Sequence, residues 1–463
     1  MRSATRPGDR WEMVRAAIER ARAASPFYRQ HLAGARLTGA ADLAALPLTR
    51  KEHLTAASPV GMLAVPPAET WHYHESSGTT GAPISTWCGL AELAQMSVTI
   101  ATMVPELGAS DAMVLNRFPS FSPVHFLLDD VLRRTGRCHL AVGSTSWDVP
   151  FERAIGLLAS LPVTVLATLP LETVILREAA EAMGVDRARA CGALRMILLG
   201  GAVLPAAFRR AIEADWGARV VEIYGSNETM LLGIGCPRGA LHLATDLYEA
   251  EILDPGTLAP AAAGQAGLLT VTSLVHEVMP LVRYVTGDLV ALGAEPCPCG
   301  APTPTAQVLG RAAEVVEIGG RRVTPYALLD ACYELIGALG LRIFFAVILR
   351  RGVVVLVEAP GGKPAGAVAA AARIREALGV PVEVQYLQPG DVIDRTALFR
   401  APKIYKPSQV SDWRGDGRKA ITLMEALLEW PQFGPRTIAG IVRREIRNRR
   451  RRARLAASDR PAG

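Results

Sequence analysis

The run Trp71-His72-Tyr73-His74-Glu75-Ser76-Ser77-Gly78-Thr79-Thr80-Gly81-Ala82-Pro83 decides how this chain is read. Ser76, Ser77, Thr79 and Thr80 crowd four hydroxyls around Gly78, and Gly78 and Gly81 let the backbone turn tightly and approach a bulky anion. Such a loop is suited to cradling phosphate. It lacks the Gly-Lys-Ser/Thr ending of a P-loop, so no lysine of its own reaches a terminal phosphate. Ser, Thr and Gly are also ordinary turn residues, and a polar surface loop has the same composition.

The chain has 463 residues and is 50% hydrophobic, enough to bury large cores in two or more domains. Its most apolar region, Leu157 to Leu176, is broken by Pro162 and Pro170 and carries Glu172, which excludes a membrane span. The start, MRSATRPGDRWEM, has charge but no apolar core behind it, so no secretory signal is expected and a cytoplasmic protein is. Of the net charge of +6, residues 443–454 alone supply eight arginines against one glutamate, which is +7 and leaves −1 for the rest. The body is neutral, and a solvated tail accounts for the excess without nucleic acid. Seven cysteines, an odd number, argue for a reduced compartment with some of them as metal ligands.

Residues 11–34 read as one helix, with Trp11, Val14, Ile18 and Ala21 on a common face. A helical stretch from about 90 to 104 precedes a buried strand at Ala112–Leu115. Loop 117–126, with Phe118, Phe121, Phe126, His125 and two prolines, has the mixed character of a small-molecule pocket; a core connection with a backbone-satisfied His125 fits it equally. Apolar runs at 163–167, 196–199 and 220–224 then alternate with helical patterns near 171–183 and 205–214. That is the pattern of a parallel sheet covered on both faces by helices, with ligands at the carboxyl ends of its strands.

Two motifs fall at those ends. Gly200-Gly201-Ala202 would let a flat base lie against the backbone, although any tight strand-to-helix turn also demands glycine. Glu222-Ile223-Tyr224-Gly225-Ser226-Asn227-Glu228-Thr229 offers a ring and a carboxylate. Further on, Arg283-Tyr284-Val285-Thr286-Gly287-Asp288-Leu289 places a carboxylate where a ribose diol could bind it through two hydrogen bonds. Cys236, His242, Cys297 and Cys299 supply three thiolates and one imidazole, a complete tetrahedral set for structural zinc; small buried cysteines are the plainer alternative. Residues 330–390 read as a small α+β module.

These stretches together resemble the adenylate-forming enzymes, and the paired serines with Ile84 resemble the phenylacetate-CoA ligase branch. Ser25-Pro26-Phe27-Tyr28-Arg29 and Leu46-Pro47-Leu48-Thr49-Arg50-Lys51 are similar to that branch's leading segments. The resemblance covers roughly residues 25–412. It implies an α/β fold: a large N-terminal domain with helix-covered parallel sheets (1–310) binding ATP and the acyl substrate, a small α+β mobile lid domain (311–412), and an extension with the basic tail (413–463).

The implied chemistry is ATP-dependent adenylation of a carboxylic acid, aromatic in this branch, with pyrophosphate release and transfer of the acyl group to coenzyme A. By resemblance, Ser76, Ser77, Gly78, Thr79, Thr80 and Gly81 hold phosphates. Gly200 borders the substrate pocket with Phe121 and His125. Gly201 and Ala202 contact adenine and Tyr224 stacks on it; Gly225 belongs to the same nucleotide-binding motif, and Asn227 can donate a hydrogen bond to a phosphate oxygen. Glu228 binds the Mg2+ that bridges the phosphates, Asp288 holds the ribose, and Arg311 begins the hinge. Some relatives share the Cys236, His242, Cys297 and Cys299 arrangement, implying Zn2+. Lys406, six residues before Asp412, matches the lysine that meets charge developing at the α-phosphorus, with Lys403 as a rival.

The chain departs from the family at Asn227 (usually threonine), Ala313, Ala327 and Tyr405. An amine in place of coenzyme A as acceptor, or nitrite in place of the acid, is therefore a second reading. A non-catalytic, zinc-stabilised interaction protein is a third, disfavoured because Tyr224, Glu228, Asp288 and a lysine near 406 are all present. A homodimer is compatible with the sequence, and no membrane partner is expected.

Overall fold

The computed structural model describes residues 7–75, 83–143, 149–392 and 409–414. Helix α1 (Pro7–Ala24) buries Val14, Ala17, Ile18 and Ala21, and α2 (Pro26–His31) follows it directly. The single helix expected over 11–34 is thus two helices. Proline at 26 has no N–H to continue the ladder and drives the residue before it out of the helical region; Ser25 sits at φ −78°, ψ 127°. A short helix α3 (Lys51–Ala57) closes this leading segment.

The main sheet is mixed. In chain order the strands are β1 (His72–Glu75), β2 (Ser85–Cys88), β3 (Met113–Asn116), β4 (Cys138–Ala141), β5 (Val165–Thr168), β6 (Met196–Gly200) and β7 (Arg219–Tyr224). Then come β8 (Gly233–Gly235), β9 (Leu241–Leu243), β10 (Tyr248–Leu253), β11 (Gly267–Ser273), β12 (Tyr284–Leu292) and β13 (Thr305–Arg311). β1 and β2 form a separate hairpin; the rest assemble in the order β10-β11-β12-β13-β9-β8-β7-β6-β5-β3-β4 among the described residues. β4, β3, β5, β6 and β7 pair in parallel, as expected, whereas from β7 to β10 every pairing is antiparallel. The turn to antiparallel pairing went unread because its first two strands are only three residues long, and β8 has two glycines among its three residues.

Helices cover both faces of the parallel part because its strands are apolar on both. Ile197 and Leu199 pack under α6 (Phe151–Ser160), α7 (Pro170–Ala182) and α9 (Ala206–Trp216), with α8 (Arg187–Ala190) between them in sequence. Met196 and Leu198 face α1, α4 (Leu90–Met103) and α5 (Pro123–Thr135). This alternation is the two-residue period of a strand buried on both sides.

After Arg311 come a hairpin, β14 (Val316–Ile318) and β15 (Arg321–Val323), and α10 (Pro325–Ala338). A second sheet has the order β18-β17-β16-β19, from β16 (Phe344–Leu349), β17 (Gly352–Glu358), β18 (Val382–Leu387) and β19 (Val410–Asp412), with α11 (Ala367–Leu378) preceding β18. This is the small α+β unit read from the sequence. Its apolar core runs without a break through α10 into the core under α7 and α9.

Arg283 staples the leading segment to the main sheet. It is 4% exposed, its Nε and Nη2 donate to both oxygens of Glu251 at 3.0 and 2.9 Å, and its Nη1 donates to the carbonyls of Ala44 and Leu46 at 2.8 and 2.6 Å. Arg283→Met leaves Glu251, the buried carbonyl of Leu46 and the carbonyl of Ala44 without this donor. We expect a loss of about 3 kcal/mol of stability, read as a lower denaturant midpoint with an unchanged m-value.

Candidate active site and metal cluster

The carboxyl end of β7 and the end of β13 meet the middle of β12 around one carboxylate. The Tyr224 hydroxyl donates to Asp288 Oδ2 at 2.7 Å, and Arg311 Nε lies 3.1 Å from Asp288 Oδ1. Arg311 is the cross-strand partner of Asp288, and its Nη1 also donates to the carbonyl of Thr286 at 2.7 Å. Asp288 is 7% exposed and Tyr224 8% exposed. Burial holds the Asp288 carboxyl above the usual carboxylate range, while Arg311 and the Tyr224 hydroxyl pull the other way. Each oxygen keeps a second lone pair for a hydroxyl donor.

Glu228 sits beside this group, accepting from the Tyr284 hydroxyl at 3.3 Å. Asn227, the departure from threonine, donates from Nδ2 to the carbonyl of Glu75 at 2.9 Å. It thereby ties the tyrosine motif to the residue that precedes the phosphate-cradling run. Gly225 is required where it stands: a Cβ there would lie 2.0 Å from the carbonyl oxygen of Met230. Gly201 takes φ +80° in the turn that carries Ala202 from β6 towards α9.

The pocket loop is partly helical, because Pro123 opens α5 and carries Val124, His125 and Phe126 onto its first turn. His125 is buried, with Nδ1 3.1 Å from the carbonyl of Phe118, and Phe121 is 46% exposed. Ser76, Ser77, Gly78, Thr79, Thr80 and Gly81, and both Lys403 and Lys406, lie outside the described residues.

A model of the family described as AMP-binding enzyme matches residues 76–279. The phenylacetate-coenzyme A ligase of Thermus thermophilus is 31% identical over 313 residues, covering 65% of this chain and 69% of its own length. The chain belongs to the AMP-binding, adenylate-forming enzymes. Within that family, the phenylacetate-coenzyme A ligase of Aromatoleum evansii is 28% identical over 299 residues, covering 62% of this chain and 65% of the relative. The crystal structure of a 2-hydroxyisobutyryl-CoA ligase in its postadenylation state shares the fold at a TM-score of 0.76 and 20% identity, over 92% of this chain and 93% of that one. This adenylate-forming enzyme is an ATP-dependent, AMP-forming ligase.

The four expected metal ligands converge. The donor atoms of Cys236, His242, Cys297 and Cys299 all lie within 4.8 Å of one another. The Sγ atoms of Cys236 and Cys297 are 3.8 Å apart, the edge length of a tetrahedron with zinc–sulfur bonds of about 2.3 Å. Cys299 Sγ is 3.4 Å from His242 Nε2, and the other His242 nitrogen lies 2.9 Å from the carbonyl of Thr303, which turns Nε2 towards the thiols. The donor set fits a closed structural zinc. No disulfide competes, since all seven cysteines are free.

Three supports escaped the sequence reading. Tyr284 reaches Glu228 from within a quoted motif, and only its strand register could have shown that. The Tyr248 hydroxyl donates to the carbonyl of Thr229 and lies 2.7 Å from His276 Nε2, bracing the turn after Tyr224 from β10. His74 is 3% exposed and holds the pocket loop through Nδ1, 3.2 Å from the carbonyl of Phe121.

Burial pushes the His276 imidazole down to about 4. The unfolded chain takes up this proton below about pH 6.5 and the folded one only below about 4. The unfolded state therefore binds more protons across that window, and stability falls as pH falls. Between pH 7 and pH 4 we expect His276 to account for a loss on the order of 3 kcal/mol. Denaturation curves at the two pH values should show a shallower dependence in His276→Asn.

Proposed function

We propose that this ligase adenylates an aromatic carboxylic acid and transfers the acyl group to coenzyme A. The observation that carries the nucleotide site is the buried Asp288 carboxylate, held between Tyr224 and Arg311 at the ends of β7 and β13 and next to Glu228. In this reading Asp288 accepts hydrogen bonds from the ribose diol, and Tyr224 with the Gly200–Ala202 turn flanks adenine. Glu228 holds Mg2+, and the hydroxyls of the 76–81 run bind the phosphates. The acid's carboxylate attacks the α-phosphorus, pyrophosphate leaves with the broken P–O bond, and Lys406 neutralises charge on the oxygens between them. The relatives named phenylacetate-coenzyme A ligase and the aromatic loop 118–126 support an aryl acid; those same names support coenzyme A as acceptor.

Pyrophosphate release from ATP should depend on an aryl acid, and adding coenzyme A should yield a thioester. The panel includes amino-aryl acids and nitrite, each with and without coenzyme A. Lys406→Ala should cut the adenylation rate about a hundredfold or more, and Lys403→Ala should not. Release without a thioester would move the acceptor to an amine. Release with nitrite alone would move the substrate.

We also propose that Cys236, His242, Cys297 and Cys299 hold one structural zinc, clipping β8–β9 to the loop before β13. Elemental analysis of the purified protein should find one zinc per chain. His242→Ala and Cys297→Ala should each lose it and lower the melting temperature, whereas zinc retained by both variants would sink the assignment.

A further inference from the structure

Helix α9 begins without a cap of its own. Its N-cap position is Pro205, whose side chain cannot accept a hydrogen bond. The missing acceptors come from the small unit: the N–H of Ala207 donates to Asp330 Oδ1 at 2.8 Å, and that of Ala206 donates to the Tyr326 hydroxyl at 3.1 Å. Both acceptors project from the first turns of α10. One turn on, the Phe208 and Tyr333 rings stack at 3.9 Å and 10°, and Arg210 pairs with Glu334.

The two ends of this contact lead to two parts of the reaction. On one side, only Val203, Leu204 and Pro205 separate the capped N–H groups from Gly200-Gly201-Ala202. Displacing the start of α9 therefore displaces that turn. On the other side, the Tyr333 hydroxyl donates to Gln409 Oε1 at 2.5 Å, and Gln409 opens the run into β19, three residues after Lys406.

We infer that Asp330 is a positioning residue for the nucleotide: by capping α9 across the interface, the small unit sets the turn against which adenine lies. The inference rests on the reading of 200–202 as the adenine turn. Because Asp330 and Tyr326 accept from Ala207 and Ala206, the start of α9 is fixed, and the turn that leads into it is fixed with it.

The test is AMP binding by calorimetry on the full chain, with ATP kinetics beside it. Asp330→Ala should weaken AMP binding and raise the KM for ATP by about threefold to tenfold, the size of a lost N-cap, with kcat at saturating ATP nearly unchanged. Asp330→Asn keeps a cap acceptor and should restore most of the affinity. Tyr326→Phe should show a smaller loss in the same direction. Glu334→Gln, which removes the exposed ion pair on the same two helices, should leave AMP binding unchanged. Equal losses in Glu334→Gln and Asp330→Ala would mean that adhesion and not capping is at work, and would overturn the inference, as would an Asp330→Asn no better than alanine. Wild-type affinity in Asp330→Ala overturns it while leaving the nucleotide reading intact. A wild-type protein that binds no AMP removes both.

Discussion

One buried carboxylate joins the two halves of the main sheet. Asp288 on β12 accepts from Tyr224 at the end of β7, although β13, β9 and β8 lie between those strands in the sheet order. Four strand spacings of a flat sheet would separate them by about 19 Å, more than the two side chains can span. The antiparallel half must therefore curl back towards the parallel half, and this contact is where they meet. A carboxylate kept there against the cost of burial needs partners, and Tyr224 and Arg311 supply them. The Tyr284 hydroxyl holds a second carboxylate, Glu228, beside this group.

The surrounding architecture keeps that group in register. Asn227 fastens the tyrosine motif to Glu75, and Tyr248 with His276 supports the turn from beneath. Arg283, five residues before Asp288, draws the leading segment onto the main sheet and ties it to β10 through Glu251. The small unit adds the acceptors that start α9. Most of these contacts are side chains meeting backbone groups that the strand and helix ends leave free, which is why so many supports cluster at the carboxyl edge of the parallel strands.

Several residues that the sequence singles out lie together in the fold. Tyr224, Glu228 and Arg311 stand out through motifs that resemble the family's, and Asp288 also as a carboxylate at a strand; the structure places Tyr224 and Arg311 on Asp288, with Glu228 beside them. Cys236, His242, Cys297 and Cys299 could be grouped from the sequence by their donor chemistry, which survives long separations, and the structure brings their donor atoms within 4.8 Å of one another. What could not be read were contacts between distant backbone and side chain, such as Asp330 on Ala207 or Asn227 on Glu75, which leave no local pattern. The switch to antiparallel pairing was hidden because β8 and β9, the strands that make it, are three residues each. The helix over 11–34 was overextended because its apolar spacing continues across a proline that breaks the backbone. The phosphate-cradling run and Lys406 rest on sequence alone.

The central claim is that Asp288 holds the ribose diol, and the most direct measurement compares KM for ATP and 2′-deoxy-ATP in the wild type and in Asp288→Ala. Removing a hydroxyl that donates to a carboxylate should cost the wild type about tenfold or more in KM. Asp288→Ala should bind both nucleotides weakly and nearly equally, because the group that tells them apart is gone. Undiminished discrimination in Asp288→Ala would contradict the assignment and move the ribose to another part of the chain.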